Sequence, residues 1–103
     1  MKIGEVINLI IKKKGITQTE LAKKIEKSPT ALSQIINGVY DPNPETLDKI
    51  CDALEVPKAI IYFLTISEKD IPKEKLELYK MLAPTIKDFL IKVFGSEQQE
   101  LIS

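Results

Sequence analysis

Residues 17–38 read T-Q-T-E-L-A-K-K-I-E-K-S-P-T-A-L-S-Q-I-I-N-G, and the fold is decided there. Thr17 followed three residues later by Glu20 is the pattern of a capping box, which starts a helix. Leu21, Ala22 and Ile25 supply its apolar stripe. Lys27-Ser28-Pro29 restarts the chain: Ser28 reads as an N-cap, and Pro29 falls at the first helical position, where a missing N–H costs nothing. Leu32 and Ile35 turn inward on this second helix, and Asn37-Gly38 ends it, since both residues tolerate a left-handed C-terminal cap. Two short helices joined by a tight turn make a helix-turn-helix, and such a second helix can lie in the major groove of DNA.

Working outward, the spacing predicts a helix over residues 2–14, with Ile3, Ile7 and Ile10 along one face and Val6 and Ile11 widening it. Lys12-Lys13-Lys14 suits the negative end of that helix, and Gly15 ends it. The lysine run reads equally as a solvated helix end or as a grip on phosphate. Downstream, Pro42 and Pro44 break a loop. Asn43 caps a fourth helix, with Leu47, Ile50, Cys51 and Leu54 at helical spacing. Residues 57–64 form a fifth, apolar nearly all round, so something should cover it. Residues 67–72 are polar punctuation. Over residues 73–94, Leu76, Tyr79, Ala83, Ile86, Leu90 and Val93 step as one helical strip, and Leu78, Leu82 and Phe89 form a second. Pro84 interrupts both. Ala83 is a poor N-cap for a fresh helix, so a kink is favoured over a break. The tail is expected to cover the fifth helix and to leave a face for another partner, and residues 95–103 to fray.

Composition narrows the function. The 103 residues, 44% hydrophobic, suffice for one small domain with an appendage. No apolar run spans a membrane, and no signal peptide is visible, so a cytoplasmic location is expected. One Cys and no His exclude an internal disulfide and argue against a zinc site. Cys51 reads as packing material, with no His to activate it. No Ser/His/Asp set, metal cluster or Gly-rich phosphate loop is present, so no enzyme and no cofactor is expected. The net charge is zero and all 15 basic residues are Lys. Their distribution is uneven: residues 1–40 hold seven Lys and three acids, a net +4, whereas residues 41–64 are −3 and residues 65–103 are −1. The positive end is therefore the end with the two-helix motif.

The pattern T-Q-x-x-L-A, a turn, then S-x-x-x-L-S-x-I-x-N-G resembles the phage-repressor (Cro/repressor, XRE-type) helix-turn-helix family. The run P-N-P-E-T-L-D-K-I-C-D-A-L-E-V at residues 42–56 resembles it too. The likeness spans residues 3–64. It implies an all-α, five-helix lambda-repressor-like DNA-binding domain over residues 1–64; residues 65–103 lie outside the likeness, and their own helical spacing and apolar surface predict a helical extension that serves dimerisation. The likeness also implies a regulator, a repressor by this reading, that binds a two-fold operator on double-stranded DNA as a homodimer, and the apolar surface of the fifth and C-terminal helices makes them the expected dimer contact. On the second motif helix, the inward Leu32 and Ile35 leave Pro29, Thr30, Ser33, Gln34 and Asn37 outside. Gln34 can donate and accept together, matching adenine N6 and N7; Pro29 and Thr30 offer apolar surface to a thymine methyl, and Ser33 can bond either base. With no Arg in the chain and no Lys on this helix, A·T pairs are favoured. The family's phosphate contacts map to Gln18, with Thr17 beside it, and to Asn37; Ser28 and Lys14 join them as phosphate candidates.

Three departures from the family stand out. Val39-Tyr40-Asp41 replaces basic residues that grip the backbone, which predicts weaker binding and a shallower salt dependence. Glu26 and Glu55 stand where turns usually carry Gly, at a cost of ~1 kcal/mol each if left-handed. Ile11 and Ile36 stand where relatives commonly pair Arg with Glu. A paired replacement of this kind predicts that the two side chains touch, with carbons within ~4.5 Å. The alternative function is a protein-interaction or antitoxin-type protein that uses the same fold and binds a partner through its C-terminal helix.

Overall fold

The computed structural model describes residues 1–95, which form six α-helices and no strand. They are α1 (Ile3–Lys14), α2 (Gln18–Lys24), α3 (Pro29–Ile36), α4 (Pro44–Leu54), α5 (Lys58–Thr65) and α6 (Leu76–Gly95). Two 3-10 turns, Glu68–Asp70 and Lys73–Lys75, link α5 to α6. The fold is all-α, as the periodicity and the family resemblance implied. Residues 96–103, most of the segment expected to fray, lie outside the described residues.

Local hydrogen bonds place the helix ends. Glu20 N–H donates to Thr17 Oγ1 at 3.0 Å and Thr17 N–H donates to Glu20 Oε1 at 3.2 Å, closing the capping box of α2. Ser28 Oγ accepts from Ala31 N–H at 3.1 Å, and Asn43 Oδ1 accepts from Thr46 N–H at 2.8 Å. Pro29 and Pro44 each follow at the first helical position. Four C-termini close alike. The amides of Ile16, Lys27, Val39 and Val56 donate to the carbonyls of Ile11, Ala22, Gln34 and Cys51 at 2.9–3.2 Å. Each closure needs a left-handed residue just before it, supplied by Gly15, Glu26, Gly38 and Glu55 at φ 57–78°. Both glutamates are therefore strained, as their positions predicted. Asn37 does not use its own left-handed tolerance, remaining at φ −82° and leaving the cap to Gly38.

The core lies around α1. Val6, Ile7, Ile10 and Ile11 are buried there against Leu32, Ile35 and Ile36 of α3, Leu47, Ile50, Cys51 and Leu54 of α4, and Ile61 and Leu64 of α5, with Leu21, Ala22 and Ile25 of α2 completing the cluster. Ile11 and Ile36 are both buried members of that one cluster. No charge needs a partner there. Burial pushes the Cys51 thiol up from its ordinary range, with Lys58 pulling weakly against it. A thiol held neutral in this way is packing material.

Gly4 fixes how α1 meets α3. A Cβ at residue 4 would fall against the backbone carbonyl of Ile35 and 2.6 Å from that of Ile36. Only a residue without a side chain lets the start of α1 lie directly on the last turn of α3. Backbone contact of this kind leaves little room for one helix to shift on the other.

The tail departs from expectation in its partner. α6 packs chiefly on α1 rather than sealing α5. Ala83 is buried, and Ile91 and Phe94, which belong to neither predicted strip, pack against the core. The contact with the end of α5 is polar: Tyr79 Oη donates to the Ile66 carbonyl at 3.0 Å, and Lys87 Nζ donates to the same oxygen at 2.5 Å. Tyr62 of α5 therefore stays 52% exposed. α6 runs unbroken through Pro84. The first predicted strip turns inward apart from Ile86, while Leu78, Leu82 and Phe89 face water.

Candidate nucleic-acid interface

The inner face of α3 is consumed by Leu32, Ile35 and Ile36, all buried, so its remaining residues must look outward. Pro29, Thr30, Gln34 and Asn37 are exposed and Ser33 half-exposed. The helix brings these five onto one side. Asn37 Nδ2 donates to Ser33 Oγ at 3.2 Å, which ties those two side chains together. Ser33 keeps its hydroxyl proton for a donor role, whereas the Asn37 amide is partly committed within the helix. Gln34 and Thr30 face solvent beside them.

Thr17 and Ser28 open α2 and α3 as caps, each with its side-chain oxygen accepting a backbone N–H. Capping leaves the hydroxyl proton free, so one group can hold a helix start and still donate to an anion. Gln18, half-exposed, begins α2, where free N–H groups and the positive dipole end favour negative charge. Lys14 is half-exposed in the last turn of α1, just before the link to Thr17. The predicted phosphate residues thus come from four helix ends, the end of α1, the start of α2 and both ends of α3, and the predicted base residues from one helix face.

Two features of this surface escaped the sequence reading. Tyr40 Oη donates to the Ala31 carbonyl at 3.3 Å, which folds the loop after α3 back onto α3. Val39, just before it, is 68% exposed. The second feature is Lys2. Its side chain lies beside Gly38, with Cδ 3.9 Å from where a Cβ on that glycine would sit. A cation from the start of the chain therefore stands at the C-terminal end of α3, where the loop itself carries none and where the helix dipole favours positive charge. The only sequence signal is a lysine 36 positions upstream of Gly38, and no local pattern links the two.

The exposed ion pairs hold the scaffold rather than this surface. Lys58 Nζ meets Asp48 Oδ1 at 2.6 Å between α4 and α5, and that hydrogen bond raises the Lys58 pKa. Among the described residues no group of three or more His, Cys, Asp or Glu is placed to hold a metal ion. No helix among them is long and apolar enough to cross a membrane.

Comparison with known proteins agrees with this geometry. The family model described as Helix-turn-helix matches residues 7–61. An ImmF control region 10 kDa protein of Bacillus phage phi105 is 45% identical over 49 residues, 48% of this chain and 54% of that protein. An immunity repressor protein of the same phage is 30% identical over 94 residues, 80% of this chain and 65% of that protein. The chain thus spans between about half and two thirds of the length of these curated relatives. No solved structure matches. The family match covers more than half of the chain and falls on the residues that build the two-helix motif and its exposed face, so the protein belongs to the XRE-type helix-turn-helix family of DNA-binding proteins.

Proposed function

We propose that the protein is a sequence-specific transcriptional repressor that binds a two-fold operator as a homodimer, with α3 in the major groove. The observation that carries this reading is the outer face of α3, which leaves Pro29, Thr30, Ser33 and Gln34 turned outward from a helix whose other side is locked into the core. Gln34 reads adenine, Pro29 and Thr30 meet thymine methyls, and Ser33 bonds either base. Thr17, Gln18, Ser28, Asn37 and Lys14 hold phosphates, joined by Lys2 at the end of α3. A relative named as an immunity repressor supports repression over activation. The protein works in the cytoplasm without cofactor, metal or catalysis.

Selection of operator-length duplexes by the full chain, followed by titration, tests the reading. Gln34→Ala should relax preference at one base pair per half-site at a cost of ~1–3 kcal/mol. Lys2→Ala should weaken all sequences alike and lower the salt slope by about one. Unchanged base preference in the first variant would remove Gln34 from the readout. No duplex preference in the unaltered chain would remove the function.

A second reading, a protein that binds a different polypeptide through α6, draws on Leu78, Leu82 and Phe89 facing water. Binding to DNA that collapses with added salt supports the first reading. A stable complex with a neighbouring-gene product supports the second.

A further inference from the structure

The side of α6 turned away from α1 carries Leu78, Leu82, Ile86 and Phe89, each 40% or more exposed. Their spacing of four, four and three residues places them in one stripe. Met81, at 71%, is its most exposed neighbour. A run of large apolar side chains of this extent is uncommon on a protein that works alone. Beside the N-terminal half of the stripe lies an open apolar groove of about 330 Å³, lined by Phe63, Ile71, Leu78, Leu82 and Ile86 with their neighbours. Phe89 is not among the lining residues and stands 61% exposed further along the same helix. It cannot reach the far end of its own groove, because eleven residues of helix separate it from Leu78 by about 16 Å. The molecule therefore displays an aromatic knob at one end of the stripe and an apolar hole at the other.

We propose that two copies pair α6 against α6 in antiparallel register about a two-fold axis near residue 84, so that Phe89 of each copy enters the groove beside Leu78 of the other. The inference rests on the homodimer reading and specifies its surface. In this register Leu78 faces Phe89 of the second copy and Leu82 faces Ile86, so large side chains meet large side chains along the whole stripe. The contact is isologous and closes on itself, giving a dimer and no fibre. Glu77 and Lys92, both exposed, come to nearly the same level from opposite chains, so that Glu77 of one copy joins the Lys92–Asp88 ion pair (3.1 Å) of the other at the rim. A parallel pair would instead stack Phe89 on Phe89 and leave both grooves open to water.

Full-length chains carrying Leu78→Cys are mixed with full-length chains carrying Phe89→Cys and oxidised, and the oligomeric state of the unaltered chain is measured by sedimentation at micromolar concentration. The expected result is a dimer whose mixed cross-link exceeds either self-cross-link by about tenfold. A third variant, Phe89→Ser, should stay helical by circular dichroism and bind its partner copy at least about tenfold more weakly, as befits an anchor residue. Predominant cross-linking of Leu78→Cys chains to each other would overturn the register. So would a dimer indifferent to Phe89→Ser. A monomeric unaltered chain would overturn the homodimer reading itself and assign the groove to a different protein.

Discussion

The apolar residues of α1 and of α6 are spaced with the same regularity, yet they meet different fates. On α1, Val6, Ile7, Ile10 and Ile11 are all at most 2% exposed, because α3, α5 and α6 each cover part of its circumference. Among the described side chains of α6 only Ala83 is buried, and a whole stripe of large side chains faces water. Periodicity of 3.6 residues tells which side of a helix is apolar. It does not tell how many neighbours arrive to cover that side. The body closes on itself, and α6 leans on the body with one face and leaves a second in water.

That contrast can be broken or sharpened by measurement. Leu21→Ala and Leu82→Ala remove the same atoms from the two regions. The first should cost ~2–5 kcal/mol, since it opens a cavity in a packed core. The second should cost well under half of that in dilute urea titrations, and equal losses would mean that α6 is as closed as the body. Next, Ile36→Glu should destabilise the fold by ~3 kcal/mol or more by stranding a charge, and Ile11→Arg added to it should recover much of the loss. Failure of the second change to rescue would separate the two side chains. Gly4→Ala should cost ~1–3 kcal/mol by forcing α1 off the α3 carbonyls. The same Gly4→Ala chain should bind DNA more weakly if α1 sets the pose of α3, and unchanged affinity in the folded fraction would show that it does not. Smallest of all, Glu55→Gly should raise stability by up to ~1 kcal/mol, by removing left-handed strain that is partly offset by glycine's greater freedom in the unfolded chain. A thermal melt that falls instead would mean that the Glu55 side chain makes a contact worth more than the strain.

The starts of α2, α3 and α4 show why the body is legible from its residues. Thr17 with Glu20, Ser28 with Pro29 and Asn43 with Pro44 act within three residues of themselves, and the helix starts follow from those contacts alone. Even the departures could be located, because Glu26 and Glu55 stand at positions where a C-terminal closure demands a left-handed residue. The outward face of α3 was legible for a related reason: once Leu32 and Ile35 are assigned inward, geometry leaves Gln34 and Thr30 outside.

Other features had no local signature. Lys2 reaches Gly38 only because Gly4 lets α1 lie on the end of α3, and Tyr40 reaches the Ala31 carbonyl only once the loop folds back. The amino-acid sequence by itself determined the six helical segments, the caps of α2 to α4, the apolar faces of α1 to α4 and the outward residues of α3, since these rest on hydrogen bonds and periodicities of a few residues. Only the tertiary structure decided that α6 would settle on α1 instead of sealing α5, and which of its two strips would remain in water. Both strips satisfy helical spacing equally, and the choice between them depends on surfaces contributed by residues some seventy positions away.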